Sequence, residues 1–329
     1  MGRFNELVLG AVKRLAMPIA VYPGIALTGG KVRDVVTNPQ AQFDASAALH
    51  HRYRTPFVLS AMDLSVEAEA FGCPIRMTDD EIPTAVSSVV ANLEQAKALA
   101  VPQPGDKRTK VYIETVALLR KLPDQPLVLG GCIGPFSLAG RLVGLSEICE
   151  LTLTDPDLVR AVLEKCTEFL AAYVKAFKIA GADGLIMAEP AAGLLSPRGL
   201  SAFSAAYIKR IVQAVESGQF QVILHNCGAK LVHLPAVLES GPSAFHFGRP
   251  MDLAGALGRV PTTTVLCGNL DPTAVFLQSP PEQVAAKASE LLGATRTHRN
   301  FVISSGCDVP PNAPLANLDA FYAALETSP

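Results

Sequence analysis

The chain has 329 residues, 49% hydrophobic and only 18% charged, which excludes a disordered chain and supplies enough apolar surface for a large core. Lysine and arginine number 28 against 30 acidic residues, and the net charge of −2 carries no footprint for nucleic acid or an anionic membrane. No run reaches the roughly 18 apolar residues of a membrane span, so a cytoplasmic protein without membrane contact is expected.

Residues 1–19 read as a helical lead-in. Arg3, Glu6, Lys13 and Arg14 interrupt the apolar positions, which leaves no signal-peptide core and suits a short amphipathic helix running into a strand. Eight apolar runs follow as candidate strands: AVYPG (20–24), PFVLSAM (56–62), PLVLGG (126–131), DGLIMAE (183–189), QVILHNC (221–227), AFHFG (244–248), TVLCGNL (264–270) and FVISSGC (301–307). Helical periodicity fills the segments between them. The clearest helix spans 155–180, with Thr154 as its cap, Pro156 in its first turn and Gly181 at its end. Another runs over 197–216 behind Ser196 and Pro197, and the last over 314–327. His50 and His51, beside Arg52 and Arg54, read as a solvated helix face.

Eight strand–helix units without a linker or repeat predict one domain over 1–329. The fold class expected is α/β, a (β/α)8 TIM barrel with its active site at the C-terminal ends of the strands. A doubly wound sheet would bring a GxGxxG turn, and phosphate binding a GxxxxGKS/T loop; neither occurs.

Seven cysteines, an odd number spread along the chain, argue against a disulfide framework. Cys73, Cys149 and Cys166 read as small hydrophobes and Cys132 as packing. Residues able to do chemistry follow the apolar runs: Glu189, His225 with Cys227, Asn269 with Asp271, and Cys307. In QVILHNCG, His225 and Cys227 are two apart in an extended run and so share a face. Cys307 ends the last strand between Gly306 and Pro310–Pro311, which stiffen the turn.

One histidine and two cysteines make a three-ligand zinc site with an open fourth position, the pattern of catalytic zinc. Structural zinc closes all four positions, usually with CxxC pairs that are missing here. On spacing alone the alternative, an HxC strand packed in the core, stays open. A site of this kind suits a thiol held as thiolate at neutral pH for displacement on an activated carbon, most simply a methyl group. Two thiolate ligands make the metal a poorer Lewis acid for water.

HNCG at 225–228, GNLDP at 268–272, SGCDVPP at 305–311 and MDLSVEAEAFGCPI at 62–75 resemble the uroporphyrinogen decarboxylase superfamily. Within it they are most similar to the methylcobamide:coenzyme M methyltransferase branch. The resemblance runs from about residue 20 to the final helix. It implies a barrel, zinc on His225, Cys227 and Cys307, and methyl transfer between a methylated corrinoid and a thiol such as coenzyme M. No DxHxxG corrinoid motif is present, so the corrinoid is expected on a separate corrinoid protein or as free methylcobalamin.

The arginine-rich RQAGR motif of the decarboxylases is missing. YPGIALTGGKVRDV offers only Lys31 and Arg33, which tells against a tetracarboxylate substrate. Asp63 falls where the decarboxylases place an important aspartate, and reads as a contact for a pyrrole or corrinoid or as a turn cap. Glu189 reads as a transient fourth ligand or substrate contact, or as a carboxylate bonded to loop amides. Asn269 and Asp271 read as helix caps or as site lining, His246 as a core or cavity residue, and Asp308 as an alteration of the cavity beside Cys307. The alternatives in view are a demethylating enzyme that passes a methyl from an aryl ether or amine to a corrinoid protein, a tetrapyrrole decarboxylase, and a corrinoid-binding protein without turnover.

Overall fold

The computed structural model describes residues 2–327. Seven parallel strands form one curled sheet, each paired with the next in chain order. They are β1 (Phe57–Leu59), β2 (Leu127–Ile133), β3 (Gly184–Ala188), β4 (Gln221–Asn226), β5 (Ala244–Phe247), β6 (Val265–Leu270) and β7 (Phe301–Ser305). Every strand residue except Asn269 is buried. Burial on both faces explains why these runs are continuously apolar rather than alternating.

Helices cover the outer face. The longest, Pro156–Ile179, buries Val162, Cys166, Phe169, Tyr173 and Phe177 along one stripe, at the three- and four-residue spacing of an amphipathic helix. Its cap is Asp155, which accepts from the Leu158 amide at 3.2 Å, and not Thr154. Thr154 closes the preceding helix, Leu145–Thr154, where its hydroxyl donates to the Glu150 carbonyl. Ser196 caps the next helical stretch as expected, accepting from the Gly199 amide at 3.2 Å. No helix among the described residues is long and apolar enough to cross a membrane.

The eighth expected strand, 20–24, does not form. Pro23 and Gly24 turn the chain into a 3-10 helix over Tyr22–Gly24. The neighbouring residues 15–19 lie along β7 instead. Met17 donates to Ile303 O at 2.9 Å, Ile303 donates back to Leu15 O at 3.1 Å, and Val309 donates to Ile19 O at 2.8 Å. Pro18 has no amide proton to offer, and among the described residues no backbone bond joins this segment to β1. Backbone pairing among the described residues thus makes a curled half-barrel of seven strands and not a closed eight-stranded barrel, and Met17, Leu49 and Tyr322 line a cavity beside the N-terminal segment.

His50 is likewise not on a solvated face. It is buried, with Nε2 2.6 Å from Asp124 Oδ2, and only His51 of the pair is exposed.

Candidate metal centre

His225 is the fifth residue of β4, Cys227 lies just past the end of that strand, and Cys307 lies two residues past β7. The topology brings the three together. Their ligand atoms all lie within 4.8 Å of one another. His225 is 2% exposed while both cysteines are partly exposed, so the cluster opens to solvent on its sulfur side. Among the described residues, buried His225 Nε2 has no hydrogen-bond partner. An orphaned buried imidazole nitrogen beside two sulfurs is what a coordinated metal satisfies, and the soft donor set suits zinc.

Two glycines permit this approach. A Cβ on Gly248 would stand 2.3 Å from the Cys227 carbonyl oxygen, and one on Gly306 would stand 3.2 Å from Gly248 Cα. The exits of β4, β5 and β7 therefore touch backbone to backbone, which brings Cys227 and Cys307 side by side. Asn269 fastens the same exit, donating to Gly248 O at 3.1 Å and to Met251 O at 2.7 Å.

The two thiols are coupled. A hydrogen bond from Cys307 pushes Cys227 down to about 7. The same contact, with burial, pushes Cys307 up to about 12. Cys227 is therefore the more readily ionised of the two. Behind the cluster, His246 Nδ1 is 2.8 Å from His225 Nδ1, and burial holds the His246 imidazole well below its ordinary range.

The other expected carboxylates are not among the three residues whose ligand atoms converge, although the Glu189 amide donates to the His225 carbonyl at 2.8 Å. Glu189 sits at the N-terminus of the helix Pro135–Val143, where it accepts from the Ser137 amide at 2.6 Å, the Ser137 hydroxyl at 2.9 Å and the Phe136 amide at 3.3 Å. Burial nevertheless raises its carboxyl to about 8. Asp271 caps the helical turn that follows β6, accepting from the Thr273 and Ala274 amides at 3.0 and 2.8 Å. Asp63 accepts from the Ser65 amide and hydroxyl, and its other oxygen is 2.5 Å from Arg108 Nη1.

Arg108 was not singled out in the sequence. It lies in GDKRTK (105–110) and is only 7% exposed. Its remaining nitrogens reach Glu69 at 2.6 Å and the Ser65 hydroxyl at 2.9 Å. Glu67 was also missed. One of its oxygens accepts from the Ile133 amide at 3.0 Å, the other is buried without a partner, and burial raises the group to about 8. Asp308, next to Cys307, also keeps one buried oxygen unpartnered.

The uroporphyrinogen decarboxylase (URO-D) family pattern matches residues 15–328. The chain belongs to this family. It is 31% identical over 269 residues to the methylcobamide:CoM methyltransferase MtbA of Methanosarcina mazei. To the same-named protein of Methanosarcina acetivorans it is 30% identical, and each comparison covers 80% of this chain and 76% of the relative. Among solved structures, a methyltransferase from Methanosarcina mazei shares the fold, with a TM-score of 0.87 at 24% identity over 98% of this chain and 97% of that one. The family match takes in the GNLDP segment and the HNCG and SGCDVPP segments whose cysteines and histidine form the cluster.

Proposed function

We propose that this family member is a zinc-dependent methyltransferase that moves a methyl group from a methylated corrinoid to a thiol. The observation that carries the reading is the convergence of His225, Cys227 and Cys307 around one point, with His225 Nε2 buried and unpartnered. These three residues would hold the zinc, and a metal bound there would supply the Lewis acidity that keeps an acceptor thiol as thiolate at neutral pH. The thiolate sulfur then bonds to the methyl carbon, the cobalt–carbon bond breaks, and cobalt keeps the electron pair. The corrinoid is presented at the strand ends by a separate corrinoid protein, and coenzyme M is the acceptor that the relatives' names suggest.

Asp63 supports methyl transfer over decarboxylation. Its carboxylate is committed to Arg108 and Ser65, which leaves it unavailable to pyrrole nitrogens.

The test is absorbance of methylcobalamin mixed with zinc-loaded protein and a set of small thiols. Thiol-dependent conversion to cob(I)alamin with formation of the methyl thioether is expected. Methylation of cob(I)alamin by methoxylated aromatics, with no reaction of any thiol, would reverse the direction. Release of carbon dioxide from uroporphyrinogen without zinc would replace the reading altogether.

Zinc binding should also release protons with a definite pH dependence. Above about 7 Cys227 is already thiolate and only the Cys307 proton is displaced; below it both thiols must ionise. Calorimetry in buffers of different ionisation enthalpy should therefore find about one cysteine proton displaced per zinc at pH 8, approaching about two at pH 6. A count near zero at both pH values would show that the thiols are not the ligands, and a count near two at both would show that Cys227 is a thiol in the metal-free protein.

A further inference from the structure

The hydrogen bonds behind His225 have a direction that can be assigned atom by atom. The Met17 carbonyl only accepts, and Ser304 Oγ, 2.6 Å away, gives it its single proton. Along its other contact, 2.7 Å from His246 Nε2, Ser304 must then accept, so that nitrogen carries a proton. His246 is 0% exposed, and among the described residues its ring hydrogen-bonds to Ser304 and His225 alone, with no carboxylate partner to balance a charge. It is therefore neutral, its proton is on Nε2, and its Nδ1 is a bare lone pair. The contact of 2.8 Å between His246 Nδ1 and His225 Nδ1 needs a proton that only His225 can supply.

We infer that Met17, Ser304 and His246 form a tautomer lock that places the His225 proton on Nδ1 and keeps Nε2 open for a metal. The metal in this statement rests on the zinc reading above; the tautomer does not. Without the lock His225 is free to carry its proton on Nε2, where it blocks coordination. The fold supplies the alignment. His225 and His246 are register partners across β4 and β5, and Ser304 lies on β7. The last acceptor belongs to the N-terminal segment bonded along β7, so seating of that segment completes the site. Metal-bound histidines ordinarily donate to a carboxylate, carbonyl or water; here a second histidine stands in for that acceptor. His246 and Ser304 are positioning residues that act through His225.

The test begins with metal-free wild-type protein carrying 15N-labelled histidine. Long-range 1H–15N spectra should show His225 protonated on Nδ1 and His246 on Nε2; His225 protonated on Nε2 would overturn the lock. Zinc affinity, measured by competition with a chelator, should fall about 10- to 100-fold in His246→Leu. In His246→Asn, whose side-chain oxygen can accept near the former Nδ1, most of that loss should be recovered. Ser304→Ala should fall between the two. Wild-type affinity in a folded His246→Leu protein would contradict the inference. Wild-type protein that binds no zinc yet shows the Nδ1–H tautomer would sink the zinc reading and leave the lock standing.

Discussion

Cys307→Ala is expected to purify with less than about a tenth of a zinc per chain and to lose thiol methylation by at least about a hundred-fold. Three protein ligands are the fewest that hold catalytic zinc, and the substitution leaves a histidine and a single cysteine. Changing residues outside the ligand shell of such sites already costs 10- to 100-fold, so loss of a ligand sets the floor. The metal-free fold should be little affected, because Cys307 is partly exposed and lies beyond the end of β7. Cys149→Ala is the control. That thiol is also partly buried but lies on the helix Leu145–Thr154, away from the cluster, and the variant should keep its zinc and its activity. Zinc retained in Cys307→Ala and lost in Cys149→Ala would show that the ligand set is wrong.

Asp63→Ala is expected to destabilise the protein by about 3 kcal/mol, the lower end of the cost of breaking a buried ion pair, because Glu69 still faces Arg108. Both residues are buried, and Asp63 is one of two carboxylates that balance the Arg108 guanidinium, with Glu69 the other. Arg108→Met should cost about as much, since it leaves Asp63 with only Ser65 and a distant Tyr112 hydroxyl at 3.4 Å. The double variant Asp63→Ala, Arg108→Met removes both charges and should recover at least about half of either loss. Denaturant midpoints decide the matter. If Asp63→Ala unfolds like the wild type but loses affinity for a tetrapyrrole, Asp63 is a substrate residue and the decarboxylase reading returns.

The parts of the site that were legible are those set by short-range rules. His225 and Cys227 share a face because a strand has a period of two, and Cys307 stood out between Gly306 and two prolines. What the sequence hid depends on register and on distance along the chain. Nothing in AFHFG tells that His246 pairs with His225, because the β4–β5 register, Ile223 opposite Ala244, is fixed only by packing of the whole sheet. Arg108 meets Asp63 across 45 residues from a loop whose composition reads as solvent-facing. The strand expected at 20–24 failed for a local reason. Val21 and Tyr22 have strand-like side chains, but Pro23 and Gly24 favour a turn, and LAMPI just before them lies along β7 in its place. At Asp155 the general rule was available: proline at the first helical position makes the residue before it the cap, and that residue is Asp155.

The most direct test of thiol activation is zinc-edge X-ray absorption of the zinc-loaded protein, with and without the thiol that supports turnover. His225, Cys227 and Cys307 as ligands require about two sulfur neighbours without thiol. An open fourth position requires about three sulfurs once the thiol is added. A sulfur count that stays the same on adding thiol would contradict thiol activation at this centre.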